Sequence, residues 1–340
     1  MSGAEGFEDA GAPAAGAGGA GIEDAGAPAG GTGGAEFEGA VAPAAGTGGA
    51  EFEGAVAPAA GTGGDGFEGA VALVTGGARG VGAACAAELA ARGADVALLD
   101  APGDLESPSY PLSGDAELEA SAAAVRDRGR RCLVLRADVR DHEAVRNALD
   151  AAEAELGPIT HVVHAAGIRT VAPVAAMSDA QWSETVDVNL NGTYHVLRQV
   201  VPKMIAGDGG RVVVLCGDEG RRGAPRLAHQ AAAAWGQIGL AKSVAVETAD
   251  AGIAVNVVTT TPLDTAMFGV PESWAQAAGA DSADASEAAH ALRVRHPRSE
   301  AFAPVGRVVD AVLYLLGQPG EELTGSVLDV SMGLSALNSC

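Results

Sequence analysis

Short apolar runs alternate with longer helical patterns from residue 66 onward, and this alternation predicts the fold class. Seven runs of strand length are apolar enough to be covered on both faces, as the strands of a parallel sheet are. They are Val71–Thr75, Asp95–Leu99, Cys132–Arg136, His161–His164, Arg211–Cys216, Ala254–Val258 and Ser326–Val330. Because strands that alternate with helices form βαβ crossovers, the pattern predicts one α/β domain over residues 66–340 with a doubly wound parallel sheet.

Alanine-rich segments between these runs carry apolar residues at helical spacing. They predict helices over Gly82–Arg92, His142–Leu156, Gln181–Ile205 and Leu227–Ala249. A chain of 340 residues with 48% hydrophobic content has enough apolar material to bury the core of such a domain.

Residues 1–65 have a different composition and repeat every 15 residues. They contain ten acidic residues and no Lys, Arg or His, and Ala, Gly and Pro make up most of the rest. The copies of the repeat before residue 66 carry a proline where a central strand needs an N–H donor. Such a segment cannot bury enough apolar surface to offset its ordering entropy, so we expect a disordered, solubilising tail. An arm that binds a partner is the alternative.

Charge and cysteine usage exclude several classes of function. With 44 acidic and 21 basic residues, the net charge of −23 repels phosphate backbones and anionic lipid surfaces, so we expect no nucleic-acid partner. The sequence shows no signal peptide and no apolar stretch of membrane-spanning length, so we expect no membrane association. The four cysteines are scattered and lack metal-binding spacing, which predicts a cytoplasmic protein without a metal site.

The first predicted strand runs into a glycine-rich loop and then into a helix. The loop reads TGGARGVG over residues 75–82, and small residues there let a diphosphate approach the backbone N–H groups at the helix start. Asp100 ends the next strand about 20 residues further on, where a carboxylate can accept hydrogen bonds from an adenosine ribose. This combination predicts a dinucleotide half-site, and the acid at position 100 favours NAD over NADP. A tight turn followed by a helix-flanking charge is the alternative.

Several motifs together resemble the short-chain dehydrogenase/reductase family over residues 66–340. They are TGGARGVG, Ala137-Asp138-Val139, the Val163-to-Gly167 segment, Val188-Asn189-Leu190 and the terminal TGSVLDVSMG. The segment Ser109-Tyr110-Pro111-Leu112, followed by Glu117-Leu118-Glu119, resembles the mycofactocin-associated, carveol-dehydrogenase-like branch. The resemblance implies a Rossmann-type domain that holds NAD, acts on an alcohol or ketone carbon of a small-molecule substrate, and assembles as a homodimer or homotetramer.

The resemblance also assigns the positions that hold the cofactor. The NAD-binding positions that it implies are Thr75, Gly76, Arg79, Gly80, Val81, Gly82, Asp100, Asp138, Val139, Gly167 and Thr265. Thr265 matches the family's threonine that contacts the carboxamide of NAD. The adenosine side of the predicted site is therefore retained.

The catalytic positions, in contrast, have changed. The family uses a Tyr as acid/base, a Lys that lowers the pKa of that Tyr, a Ser that polarises the substrate oxygen and an Asn that supports a water relay. The branch pattern LAHYxAAKxGxxGL places the Tyr position at Gln230 and the Lys position at Ala234. The Ser position falls at Gly217 or, with a shift of one residue, at Cys216, and only Asn189 matches the family.

Other residues could supply the lost acid/base group. His164 ends the fourth strand, and Asp218 and Glu219 follow the fifth strand at the carboxyl edge of the sheet, where such folds bind ligands. A structural role is the alternative for each of them, as a hydrogen-bonded histidine at a strand end or as part of a solvated loop. His229 neighbours Gln230 but points about 100° away on the helix, which favours a structural role.

Three functions are open at this point. A Gln side chain cannot donate and recover a proton at neutral pH, and positioned acid/base catalysis contributes roughly 10²–10⁴ in rate. The first interpretation is therefore a redox-silent pseudoenzyme or a redox-neutral catalyst of the isomerase, cyclase or dehydratase type. The alternatives are an active NAD-dependent alcohol/ketone oxidoreductase with a substituted acid/base, and a non-catalytic partner of an intact paralogue in a hetero-oligomer.

Overall fold

One seven-stranded parallel sheet organises the chain. The computed structural model describes residues 66–101, 103–268, 302–317 and 322–334. Within these ranges the strands lie in the order β3-β2-β1-β4-β5-β6-β7. The repeats of residues 1–65 lie outside the described residues, so their interpretation stays a prediction.

The strands match the apolar runs of the sequence. They are β1 Val71–Thr75, β2 Asp95–Asp100, β3 Cys132–Arg136, β4 His161–His164, β5 Gly210–Gly217, β6 Ile253–Thr260 and β7 Val327–Val330. The predicted doubly wound parallel sheet is confirmed, and the strand ends lie within two residues of their predicted positions. Strands β5 and β6 are longer than predicted because their pairing continues from Gly210 opposite Ile253 to Gly217 opposite Thr260.

The sheet is covered on both faces, as the apolar runs predict. Along β1, Leu73 belongs to one hydrophobic cluster, whereas its neighbours Ala72 and Val74 belong to the other. After β3 the chain returns to the middle of the sheet and adds β4 beside β1, with Thr75 opposite His164. The strand order reverses at this point, so the carboxyl ends of β1 and β4 border the crevice where open α/β sheets bind ligands.

Seven α-helices connect the strands in the described part of the chain. They are α1 Gly80–Ala91, α2 Asp115–Arg126, α3 His142–Leu156, α4 Asp179–Thr185, α5 Gly192–Ala206, α6 Ala228–Thr248 and α7 Val305–Leu316. The helix predicted over His142–Leu156 has these bounds because the Asp141 side chain accepts hydrogen bonds from the N–H groups of Glu143 and Ala144.

The helix predicted over Gln181–Ile205 is helical throughout, but it contains a π-helical segment that was not predicted. The side chain of Ser178 caps the helix start in a reciprocal pair with Gln181, so α4 begins at Asp179. A π-helical segment over Val186–Asn191 then separates α4 from α5. Such wide turns are frequent at functional sites, and this one carries Asn189.

Two features are absent from the described residues. None of the helices there combines the length and the apolarity needed to cross a membrane. Nor do three or more His, Cys, Asp or Glu side chains gather in that part of the chain into a group that could hold a metal ion.

Candidate active site

The glycine-rich loop after β1 packs tightly against its surroundings. Gly76 has a φ of 65°, and a Cβ atom at this residue would lie 2.7 Å from the backbone of Ala165. A Cβ atom at Gly82 would lie only 2.0 Å from the carbonyl oxygen of Gly76. A Cβ atom at Gly80, in contrast, would have more room, because the nearest atom to it would be Cγ2 of Thr265 at 3.7 Å. The glycines therefore keep a cradle open between the loop and Thr265.

Asp100 lies beside this loop at the end of β2. Its Oδ2 atom accepts a hydrogen bond of 2.9 Å from the N–H of Ala78. Its Oδ1 atom accepts from the N–H of Ala101 at 2.9 Å and from Oγ of Ser113 at 3.2 Å. A glycine cradle next to an acceptor carboxylate fits the diphosphate and ribose of a dinucleotide.

Three further positions of the predicted half-site, Asp138, Val139 and Arg79, have defined contacts. The Asp138 carboxylate accepts hydrogen bonds from the backbone N–H and from Nε of Arg140, both at 2.8 Å. Val139 packs against the start of α5, where a Cβ atom on Gly192 would come within 2.7 Å of its Cγ2 atom. The Arg79 guanidinium donates to the carbonyl oxygen of Pro111 at 2.8 Å, so the segment before α2 covers the loop.

Gln230 and Asn189 meet around the backbone of Ile168. The Asn189 side chain accepts from the Ile168 N–H at 2.9 Å and donates to its carbonyl oxygen at 3.0 Å. Gln230 donates to the same carbonyl oxygen at 3.2 Å, and its Oε1 atom accepts from Nδ2 of Asn189 at 3.2 Å. The structure brings the Tyr and Asn positions together, but it holds two amides in a network that cannot exchange a proton.

Neither lysine of the sequence lies where it could replace the lysine that the family has at the position of Ala234. The sequence contains two lysines, Lys203 and Lys242. Lys203 on α5 donates to carboxylates of Asp150 and Glu153, each at 2.7 Å. Lys242 is an exposed residue of α6, eight residues beyond Ala234 and therefore about 12 Å along the helix axis. Neither amine can take the family's role beside Gln230.

The side chain of Glu219 fills the space that Gly217 leaves free. A Cβ atom on Gly217 would lie 2.2 Å from Oε2 and 2.3 Å from Oε1 of Glu219. The carboxyl group therefore lies against the Ser position, and only 6% of Glu219 is exposed. Burial raises the pKa of Glu219, and the nearby charge of Asp218 raises it further. A carboxyl group whose pKa is raised in this way is more readily protonated, and the protonated form can donate a hydrogen bond.

Asp218 has a different environment although it is the next residue in the chain. It is also buried, but its Oδ2 atom forms an ion pair with Arg222, at 3.1 Å to Nε and 2.7 Å to Nη2. Among the described residues Glu219 has no such partner within ion-pair distance. The two acids predicted as substitutes thus divide into one ion-paired carboxylate and one buried acid.

Both histidines near the site are bound to threonines. His164 is fully buried, and its Nδ1 atom forms a hydrogen bond of 2.9 Å with Oγ1 of Thr75. The Nε2 atom of His229 forms one of 2.6 Å with Oγ1 of Thr170. Burial lowers the pKa of both imidazoles, that of His164 to about 4. These contacts support structural roles.

The buried His164 should make the fold sensitive to acid. Its pKa is about 4 in the folded chain and near 6.5 in the unfolded chain, so only the unfolded chain takes up its proton between these values. This residue should therefore lower the free energy of unfolding by about 3 kcal/mol as the pH falls from 6.5 to 4. Urea unfolding at several pH values measures the loss.

His164→Asn is the control for this prediction, because an amide can hydrogen-bond to Thr75 without titrating in that range. The variant should lose about 3 kcal/mol less than the native chain over the same interval of pH. Equal losses in the two proteins would show that other groups cause the acid sensitivity.

Sequence reasoning missed Arg169, and it noted Tyr110 only as part of a resemblance. The Oη atom of Tyr110 accepts a hydrogen bond of 3.0 Å from the N–H of Arg169, the residue after Ile168. Burial raises the pKa of Tyr110, so its hydroxyl stays protonated, and no lysine lies beside it to lower that pKa. The sequence signal for Arg169 was its position: it is a charged residue that follows the Ala-Ala-Gly-Ile turn at the end of a central strand.

Comparison of the sequence with models of protein families shows which family the chain belongs to. The family model described as short chain dehydrogenase matches residues 70–276. The chain belongs to the short-chain dehydrogenase family. The resemblance seen in the sequence motifs is thereby confirmed, and the matched residues include the loop, Asn189, Gln230 and Glu219.

Relatives of the chain include a curated dehydrogenase and two proteins whose structures were solved with NAD. The chain is 34% identical over 270 residues to (-)-trans-carveol dehydrogenase of Rhodococcus erythropolis, covering 77% of this chain and 95% of that protein. Carveol dehydrogenase from Mycobacterium avium, solved in complex with NAD, matches with a TM-score of 0.76 and 31% identity over 78% of this chain and 98% of that one. A short chain dehydrogenase from Mycobacterium paratuberculosis, solved bound to NAD, matches with a TM-score of 0.73 and 26% identity over 79% and 99%.

Proposed function

We propose that this short-chain dehydrogenase binds NAD but carries out redox-neutral proton chemistry on a small organic molecule, with Glu219 as the acid. One observation carries the proposal. The Glu219 carboxyl lies against Gly217 at the Ser position, while the Tyr position holds a hydrogen-bonded amide, Gln230. Alcohol oxidation by the family's usual residues should therefore be absent or very weak.

The cofactor part of the proposal rests on the retained half-site and on the NAD complexes of two relatives. When bound, NAD supplies hydride transfer at its nicotinamide ring. Asp100 would accept hydrogen bonds from the adenosine ribose, and Asp138 and Val139 would lie on the adenosine side. Gly167 and Thr265 would lie on the nicotinamide side. The loop residues that would surround the diphosphate are Thr75, Gly76, Arg79, Gly80, Val81 and Gly82.

Oxidation of an alcohol requires a base that takes the hydroxyl proton as the hydride leaves. Gln230 has no titrating group, and Ala234 has no amine that could lower the pKa of a neighbour. Positioned acid/base groups contribute roughly 10²–10⁴ in rate, so their loss removes most of this activity.

Glu219 suits a reaction without net oxidation. Its carboxyl donates a proton to a carbonyl oxygen of the substrate while a water molecule takes a proton from the neighbouring carbon, which yields the enol. The resulting hydronium ion then returns a proton to the same or to another carbon, while the Glu219 carboxylate takes back the proton of the enol hydroxyl. These two transfers restore the carboxylic acid and the water and release a ketone or its isomer. No electrons leave the substrate, so NAD is not consumed.

Hydrogen exchange in heavy water tests the proposed function. The full chain with NAD should catalyse deuterium incorporation next to the carbonyl of ketones in a small panel, followed by proton NMR. Glu219→Gln should slow this exchange by roughly 10²–10⁴, because it removes the acid and preserves the shape. The rate in the native chain should fall as the pH rises through the elevated pKa of Glu219. A matched control, Glu155→Gln, removes a carboxylate from the exposed surface of α3 and should change nothing.

A second candidate function is oxidoreduction with Glu219 as the substituted acid/base. The same position of the Glu219 carboxyl favours it, since an acid at the Ser position could protonate a ketone oxygen during reduction. Anaerobic incubation with NAD and a panel of secondary alcohols separates the two. We expect no reduced nicotinamide, and robust turnover that Glu219→Gln abolishes would establish this second function instead.

A further inference from the structure

Arg169 is a buried cation at the point where the family's catalytic positions meet. It follows Ile168, whose backbone is bonded to Asn189 and Gln230. Its own N–H donates to the buried hydroxyl of Tyr110 at 3.0 Å, which fixes the backbone at this place. Only 9% of Arg169 is exposed. The backbone of Ile168 and Arg169 is thus held by the hydrogen bonds that also hold Asn189 and Gln230 in the candidate active site.

Among the described residues, the guanidinium has no anionic partner of the kind that a buried arginine usually has. Its Cζ atom lies 5.1 Å from the centre of the Phe268 ring, so one face is covered by an aromatic side chain. Its Nε atom is buried and has no hydrogen-bond partner, and no carboxylate lies within ion-pair distance of it in the described part of the chain. A buried cation without a partner is costly, so this arrangement indicates an anion that the described residues do not supply.

The neighbouring acids leave this positive charge uncompensated. Asp218 is already paired with Arg222 at 2.7 Å. Burial and the charge of Asp218 raise the pKa of Glu219, although the charge of Arg169 opposes that rise. Neither carboxylate lies within ion-pair distance of the Arg169 guanidinium.

The Phe268 contact places the guanidinium toward the nicotinamide side of the predicted cofactor site. The N–H of Phe268 donates to the carbonyl oxygen of Thr265 at 2.9 Å, in the segment that bounds the glycine cradle. An anion bound by Arg169 would therefore lie between that segment and the residues around Ile168. A planar guanidinium suits a carboxylate, because two N–H groups can donate to its two oxygens in parallel.

We propose that Arg169 binds the carboxylate of an organic acid, so that the substrate is a carboxylic acid oriented beside Glu219. The inference rests on the proposed function, since it names the substrate class for that same pocket. A phosphate of the dinucleotide presents related anionic oxygens, and the experiment below separates the two sources.

Calorimetric titration with a matched pair of probes tests this inference. Cyclohexanecarboxylate and cyclohexanecarboxamide have nearly the same shape and differ in charge. The full chain, with and without NAD, should bind the carboxylate roughly 10- to 100-fold more tightly than the amide, as charge-assisted hydrogen bonds predict. Arg169→Gln should abolish this preference and leave the affinity for NAD unchanged.

Arg169→Lys is the second variant, and it covers the case in which Arg169→Gln does not fold. It keeps the charge but loses the planar fork, so it should retain a preference for the carboxylate that is roughly 3- to 10-fold weaker than that of the native chain. Thermal unfolding of each variant shows whether it folds.

Three outcomes would overturn the inference. The native chain could bind acid and amide equally, Arg169→Gln could keep the preference, or Arg169→Gln could weaken NAD binding while carboxylate binding is unaffected. The last result would assign the arginine to a phosphate of the dinucleotide. Failure of the deuterium-exchange assay with an intact carboxylate preference would contradict the proposed function and leave this inference standing.

Discussion

Replacing Arg222 with Met is expected to lower the free energy of unfolding by about 3 to 5 kcal/mol. Asp218 is buried and Arg222 is partly buried, with 5% and 13% of their side chains exposed, and Nη2 of Arg222 lies 2.7 Å from Oδ2 of Asp218. Without the guanidinium, a buried carboxylate stays unpaired beside Glu219. Urea unfolding at neutral pH measures the change.

Two further variants show whether the unpaired charge is the cause. Arg222→Lys keeps a cation near Asp218 and should lose less stability than Arg222→Met. The double variant Asp218→Asn with Arg222→Met removes both charges and should recover most of the loss. A loss below about 1 kcal/mol in Arg222→Met would mean that water reaches this pair and that Asp218 is not buried as described.

Gly82→Ala is expected to lower the affinity for NAD by roughly 10²–10⁴, equivalent to losing two hydrogen bonds to a charged group. The added Cβ atom would lie 2.0 Å from the carbonyl oxygen of Gly76 and 2.8 Å from its carbonyl carbon. Both atoms belong to the backbone, so the loop must move away from the start of α1. The N–H groups that face the diphosphate then lose their positions. Fluorescence or calorimetric titration with NAD measures the effect.

Gly114→Ala is the matched control for this prediction. It adds the same methyl group immediately before α2. There the backbone is extended, and no atom outside the two neighbouring residues lies within 4 Å of the added Cβ in the described part of the chain. NAD affinity should be unchanged in this variant. If Gly82→Ala binds NAD as tightly as Gly114→Ala does, the loop is not the diphosphate site, and the cofactor part of the proposed function is wrong.

The surroundings of residues 230 and 217 bear on the proposed function. Gln230 is hydrogen-bonded to Asn189 and Ile168, and the Glu219 carboxyl lies beside Gly217 at the end of β5. The proposed function therefore assigns the proton donor to Glu219 and not to residue 230.

The fold was predictable because its signals are local. The run Val71–Thr75 and the helix His142–Leu156 have the predicted bounds, since continuous apolar residues define the first and the Asp141 cap starts the second. The helix predicted over Gln181–Ile205 is present, but its π-helical segment was not predicted because that segment has no signal in apolar spacing. Within this segment, Asn189 accepts a hydrogen bond from Ile168, 21 residues away in the chain.

The order of residues along the chain was sufficient to predict the parallel sheet and the family, because apolar runs and short motifs depend on neighbours in sequence. It left Asp218 and Glu219 equivalent and gave no role to Arg169. The folded chain separates them: Asp218 pairs with Arg222, Glu219 lies against Gly217, and Arg169 stays without an anion in the described residues. Burial and distance from other charges control the protonation of such groups, and both arise only when distant segments pack together.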